Sequence, residues 1–232
     1  MTNTTVKAYA RERMLGNYGK AISALLTVAA LRMIASGIIG SVFDLSSILM
    51  VICNFLASLI VELVSGILMA GLAFFFLKIM YGQDALSVDV FHAFTEQPEK
   101  AVRIMLVLTI AAQLYQVPLL LFMAMPFGSG MSGLMLFLTL FGFAGYAFVW
   151  LTYSQAFYLL QDFPEKEAGE LLRMSKELMR GNRVRLLGLV ASFVPLFLLG
   201  VVTLFLPLLW VGAYLQASQA SFYRELMIER RG

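Results

Sequence analysis

The sequence predicts an all-α fold, a six-span transmembrane helical bundle with short amphipathic helices on its basic side. Three observations carry that prediction. Of the 232 residues 60% are hydrophobic and only 13% charged, with a mean hydropathy of +0.84. Soluble domains run nearer ~45–50% apolar and ~25% charged, so lipid must be the solvent for much of this chain. The apolar runs are continuous and helical in length, and only helices and closed barrels satisfy their backbone in hydrocarbon. The charges, finally, sort by side of the membrane.

One integral membrane domain, 1–232, is expected. Its spans run about 20–42, 46–78, 104–125, 133–160, 186–202 and 206–224. Each has at least the ~17 residues a helix needs to cross at 1.5 Å per residue. The basic stretch before the first span (Lys7, Arg11, Arg13, Lys20) resembles a signal n-region. The apolar run after it is too long for a cleaved signal, so a retained anchor is expected. The second run is also too long for the hydrocarbon layer and must tilt, project or bend, with Ser65-Gly66 as a bend site. Trp150, Tyr153 and Tyr158 mark the interface end of the fourth span. Pro118 and Pro195 should kink their spans and free the carbonyls of Leu114 and Ala191. The last two spans form a hairpin, with a turn over Leu204-Phe205-Leu206-Pro207 and Pro207 at the first helical position.

Orientation follows from the connections. The N-terminal segment carries four Lys/Arg, residues 78–103 three, residues 161–185 six and the C-terminal end three, so 16 of the 17 fall on one side. The opposite loops (about 43–45, 126–132, 203–205) carry none. The positive-inside rule places the basic side, and both termini, in the cytoplasm. Two cytoplasmic segments read as amphipathic helices. In 165–181, Leu171, Met174 and Leu178 fall at i, i+3, i+7, acidic residues crowd the first turn, and Gly181 follows as a C-cap. In 86–97, Leu86, Val90 and Phe94 fall at i, i+4, i+8.

Leu-Gln-Asp-Phe-Pro (160–164), Ser-Lys-Glu-Leu-Met-Arg-Gly (175–181) and a terminal span closing on Phe222-Tyr223 carry a resemblance. With the basic N-terminal stretch and the Phe91…Phe94 segment, they resemble an uncharacterised, domain-of-unknown-function family of bacterial integral membrane proteins. That family is distantly similar to the membrane domain fused to some glycerophosphodiester phosphodiesterases. The resemblance implies a multi-pass protein of the bacterial cytoplasmic (inner) membrane, and it implies no activity.

Arg32 and Glu62 are the ionisable residues deep in the predicted spans. Counted from a turn near Asp44-Leu45, Arg32 is about 12 residues down and Glu62 about 17, an axial offset of roughly 7 Å. Side chains lean toward a helix's N-terminus, so the two should converge and pair. Such a pair either fixes helix register or gates a solute or proton. Gln113, Gln116, Gln155, Gln216 and Gln219, with Tyr115 and Tyr214, could line a polar cavity or simply bond helix to helix. Small residues at four-residue spacing (Gly66/Ala70 and Ala213/Ala217/Ser221) allow close helix packing or dimerisation. The cations Arg173, Lys176, Arg180, Arg183 and Arg185 could hold anionic lipid headgroups at the cytoplasmic surface.

The absences are as informative. Asp89, His92 and Glu96 share one helical face, too few ligands for a confident metal site, and no metal or cofactor is expected. Cys53 has no nearby base, and a single cysteine allows no internal disulfide. Acidic residues interleave the basic cluster, which argues against nucleic acid. There is no Walker loop, His-Glu-x-x-His or Gly-x-Ser-x-Gly, and Gly128-Ser129-Gly130 sits in an uncharged loop. The chain is therefore not expected to be an enzyme. A non-catalytic scaffold or accessory subunit, with a protein partner or a second copy of itself, is the first expectation. A transporter or channel for a small solute or lipid is the alternative, which requires Arg32, Glu62 and the Gln/Tyr groups to line one cavity.

Overall fold

A computed structural model describes residues 2–43, 47–124, 130–203 and 206–231. The turns expected at Asp44-Leu45 and Leu204-Phe205, and Gly128-Ser129, lie outside the described residues. Among those described there is no strand. The helices are α1 (Asn3–Met14), α2 (Tyr18–Val42), α3 (Ile48–Met80), α4 (His92–Glu96), α5 (Pro98–Ala124) and α6 (Gly130–Tyr153). They continue as α7 (Ala156–Asp162), α8 (Ala168–Leu178), α9 (Arg183–Ala191), α10 (Val194–Val202) and α11 (Leu206–Arg231), and a 3-10 turn, Ser87–Phe91, precedes α4.

Five stretches are long and apolar enough to cross a membrane: Tyr18–Val42, Leu49–Met80, Pro98–Met123, Met131–Asp162 and Arg183–Val202. They mark the chain as a multi-pass membrane protein. The expected sixth, α11, is long enough, but Gln216, Ser218, Gln219 and Ser221 dilute its apolar residues and it is not among the five.

Several boundaries differ from the sequence reading for physical reasons. α3 is one helix of 33 residues, unbroken at Ser65-Gly66. Ser65 bonds back to the carbonyl of Glu62, and a Cβ on Gly66 would collide with Met105 of α5. Glycine at 66 allows the close approach of α3 and α5. The fourth stretch does break, at Ser154-Gln155, between α6 and α7. The fifth breaks at Ser192-Phe193, one turn before Pro195, which sits in the first turn of α10 where its missing N–H is harmless. α5 instead runs through Pro118. The carbonyl of Leu114, whose α-helical donor Pro118 lacks, is covered by Gly142 of α6, where a Cβ would strike it.

The expected 86–97 helix is two short turns in different registers, so its stripe does not hold: Val90 and Ala93 are buried, whereas Leu86 and Phe94 are exposed. The expected 165–181 helix is shorter, 168–178. Leu171 and Leu178 are buried, Met174 packs against the core, and Gly181 adopts φ +89 just beyond the end.

The core is concentrated toward the basic side. It joins the second half of α3 (Ile67 to Met80), α7, α8, the C-terminal half of α11 and α1. The opposite halves of α2, α3, α5, α6 and α10 present apolar side chains outward, as lipid-facing surface does. α2 is the extreme case, with 11% of its span buried.

The N-terminal segment, read from sequence only as a basic stretch, is an ordered helix. Val6, Ala10 and Met14 (i, i+4, i+8) are buried against α11. Ser221 and Tyr214 of α11 donate to the carbonyls of Val6 and Lys7, each at 3.1 Å, and Tyr9 donates to that of Met80 at 2.8 Å. The 160–164 and 175–181 blocks tie helices together. Gln161 donates to the carbonyl of Ala70, Tyr223 and Tyr81 donate to the Asp162 carboxylate, Lys100 reaches the carbonyl of Pro164, and Ser175 bonds that of Thr152.

The Gly142–Leu114 approach yields a direct test. Gly142→Leu should destabilise the protein by about 1–3 kcal/mol through overpacking. Gly133→Leu, on the same helix with open space at its Cα, should leave the melting temperature in detergent unchanged. Equal melting of the two variants would contradict the packing described.

Candidate functional site

Arg32 lies midway along α2 and Glu62 midway along α3, on neighbouring helices that pack together. Their charged atoms are 2.8 Å apart, Nη2 of Arg32 donating to Oε2 of Glu62. The pair is only partly covered, with side-chain exposures of 40% and 37%, because it faces open space on two sides.

On the basic side of the pair is a cavity of about 530 Å³. Arg32 and Glu62 form one end. Gln116 and Tyr115 come from α5, Tyr146, Trp150 and Tyr153 from α6, Tyr158 from α7, and Gln216 and Gln219 from α11. On the other side is a groove of about 730 Å³ between α2, α3 and α5. Its walls are mainly apolar (Val51, Ile52, Phe55, Leu120 among them), with Ser36, Asn54, Ser58 and Gln113 as polar points. Arg32, Glu62 and Gln116 are common to both spaces. The ion pair thus borders both spaces.

The expected polar lining divides accordingly. Gln216 and Gln219 face the cavity, Gln116 both spaces, Gln113 the groove. Gln113 donates to Gln116 at 3.3 Å and so links the groove to a residue common to both spaces. Gln155 does not line either space. The break after α6 turns it inward, where it is 1% exposed and donates to the Ser154 hydroxyl at 2.8 Å. The aromatic wall was legible only in part. Tyr146, Trp150 and Tyr153 fall at i, i+4, i+7 on α6, a stripe hidden in the sequence by the apolar residues between them.

The basic cluster also divides. Arg173, Lys176 and Arg180 are exposed. Arg183 lies over the ring of Phe148, 4.5 Å from its centroid. Arg185 is not free for a headgroup, because its guanidinium holds Glu225 and Glu229 of α11 and covers Phe222. Of the His92 face, Asp89 accepts from Lys78 at 2.7 Å and from the N–H of Leu86, while His92 stacks on Phe74 with centroids 4.0 Å apart. Among the described residues no group of three His, Cys, Asp or Glu could hold a metal. Cys53 is a free, partly buried thiol. Asp84, beyond the end of α3, is clipped to Lys20 at 2.7 Å. That hydrogen bond and charge hold its carboxyl below the usual carboxylate range.

Comparison with known proteins adds one finding. A family model described as "Protein of unknown function (DUF975)" matches residues 1–230. The chain belongs to the DUF975 family. No curated protein and no solved structure matches it. The match spans every element of the site, from α1 to α11, so the DUF975 unit contains the ion pair, the cavity and the groove together.

A charge left alone at mid-span costs about 2.5–3.5 kcal/mol on insertion scales. Arg32→Leu or Glu62→Leu alone should therefore destabilise the protein by about 2–3 kcal/mol in a detergent melt. The double change should recover most of that loss, since neither charge then remains. A double variant as unstable as the sum of the singles would show that the two do not act as a pair.

Proposed function

We propose that this DUF975 protein is a transporter for a small polar solute or a lipid headgroup, with the Arg32–Glu62 pair as its internal partition. The observation that carries this reading is the shared cavity: one charged pair and Gln and Tyr side chains from α5, α6, α7 and α11 surround a single space. A cavity of about 530 Å³ falls within the usual range for small-molecule sites. Intramembrane charge facing a cavity is the usual mark of a solute or ion path. A scaffold needs neither the void nor a charged pair bordering it, and this reverses the order in which the sequence alone ranks the two functions.

In this reading α11 is the sixth span, with its polar face turned to the cavity and to α1 and its apolar residues toward the other helices. Six spans keep 16 of 17 Lys/Arg on one side, which supports reading both termini as cytoplasmic in a bacterial inner membrane. The cavity then opens from the cytoplasmic half and the groove occupies the outer half. The exposed face of Arg173, Lys176 and Arg180 lies at the cytoplasmic surface, where each cation is worth ~1 kcal/mol toward anionic lipid.

Two measurements test the proposal. On a Cys53→Ala background, cysteines at Ser47 and Thr203 should react with an impermeant thiol reagent added outside, and cysteines at Lys176 and Ile228 only after the membrane is opened. Outside labelling at Ile228 would remove α11 as a span. Solute and lipid profiles of cells and medium should also differ between the wild-type chain and Arg32→Leu/Glu62→Leu at equal membrane levels. Identical profiles would return the protein to the scaffold class.

A further inference from the structure

Resting on the reading of the cavity as a ligand site, we propose that its ligand is a zwitterion carrying an ammonium group and a carboxylate or phosphate. Its ammonium would replace Arg32 at Glu62, and its anionic group would replace Glu62 at Arg32. Opening the pair without such a ligand leaves two mid-span charges, each without its counter-charge. A ligand with a single charge compensates one of them and strands the other. A zwitterion compensates both, so it alone can pass the partition without a net electrostatic cost.

The two spaces differ in a way that orients the ligand. Tyr115, Tyr146, Trp150, Tyr153 and Tyr158 all line the cavity, and neither a tyrosine nor a tryptophan lines the groove. Rings around a carboxylate are the surroundings that hold a methylated ammonium, by cation–π attraction together with the opposite charge of Glu62. Tyr115 and Tyr146 already stand together, with ring centroids 5.3 Å apart. Beside Arg32 the groove offers the hydroxyls of Ser36 and Ser58 as donors. The ammonium therefore sits in the cavity and the anion at the groove side. A free solute such as a betaine and the headgroup of a zwitterionic phospholipid share this chemistry, and the apolar groove walls would accommodate the chains of the latter.

The chain supplies its own reporter, since Trp150 lines the cavity and Trp210 is the one other tryptophan. In full-length protein carrying Trp210→Phe, Trp150 emission is followed in detergent during titration with glycine betaine, tetramethylammonium and 3,3-dimethylbutyrate. The last two keep one charge each. In parallel, the protein is placed in nanodiscs of phosphatidylglycerol with and without phosphatidylcholine.

Glycine betaine should shift the emission saturably, at least about tenfold more tightly than either singly charged probe. A shift caused by phosphatidylcholine and not reversed by betaine identifies the lipid headgroup as the source. A betaine shift with no response to phosphatidylcholine identifies a free solute. Arg32→Leu/Glu62→Leu should lose the response. Tyr146→Phe should keep it and Tyr146→Leu weaken it, which separates the ring's contribution from a folding defect. Tetramethylammonium or dimethylbutyrate binding as tightly as betaine would overturn the zwitterion and leave the cavity reading standing. No response of Trp150 to any probe or lipid would overturn both.

Discussion

Two opposite charges held 2.8 Å apart in the middle of adjoining apolar helices are the constraint on which the rest of the structure depends. Neither charge is tolerable alone in that layer, so α2 and α3 must keep their faces and heights matched. α2 has little else to hold it, being almost wholly turned toward lipid. Its polar attachments are the ion pair in the middle, the Lys20–Asp84 clip and the Ser87 hydroxyl on Ser23 and on the Lys20 carbonyl at one end, and the Asn54 amide on the Phe43 carbonyl at the other. The middle tie is the one that borders both the cavity and the groove, so its release is the step that the proposed transport requires.

The rest of the bundle is built to leave that region open. On the basic side, α1, α7, α8 and the end of α11 close a dense apolar core around the second half of α3. Backbone carbonyls on α1, α3 and α6 accept from Tyr, Ser and Gln side chains there, which adds polar ties to the packing of Phe75, Phe76, Phe222 and Tyr223. Toward the other side the helices separate and the groove forms between α2, α3 and α5. A rigid half and an open half meet at the level of Arg32, Glu62 and Gln116. Gly66 and Gly142 allow α3 and α6 to approach α5 closely enough to frame the cavity without filling it.

Much of this was legible in the sequence, and what escaped did so for identifiable reasons. Hydropathy marked the apolar helices, and the spacing from the first turn brought Arg32 to Glu62 before any coordinates. α1 escaped because its buried stripe, Val6, Ala10 and Met14, is only three residues in a polar segment. Of the two breaks, that at Ser154-Gln155 escaped because it lies inside a long apolar run, where hydropathy carries no information on backbone hydrogen bonding, whereas that at Ser192-Phe193 falls one turn before Pro195, where a kink was expected. Gln155 followed from the first of these, since a continuous helix would have turned it elsewhere. The polar residues of α11 were visible, yet their division between α1 and the cavity depends on which face α1 covers, and that is a tertiary fact. Arg185 counted as one of five surface cations because its partners, Glu225 and Glu229, lie 40 and 44 residues further along the chain.

The most direct test of the partition is access to its two sides. Gln219 lines the cavity and Ser58 the groove. In a Cys53→Ala chain with the pair intact, an impermeant thiol reagent supplied from the cytoplasmic face of inverted vesicles should modify Gln219→Cys and leave Ser58→Cys untouched. With Arg32→Leu/Glu62→Leu, the same reagent from the same face should reach both. Modification of Ser58→Cys from the cytoplasmic face while the pair is intact would contradict the claim that Arg32 and Glu62 separate the two spaces.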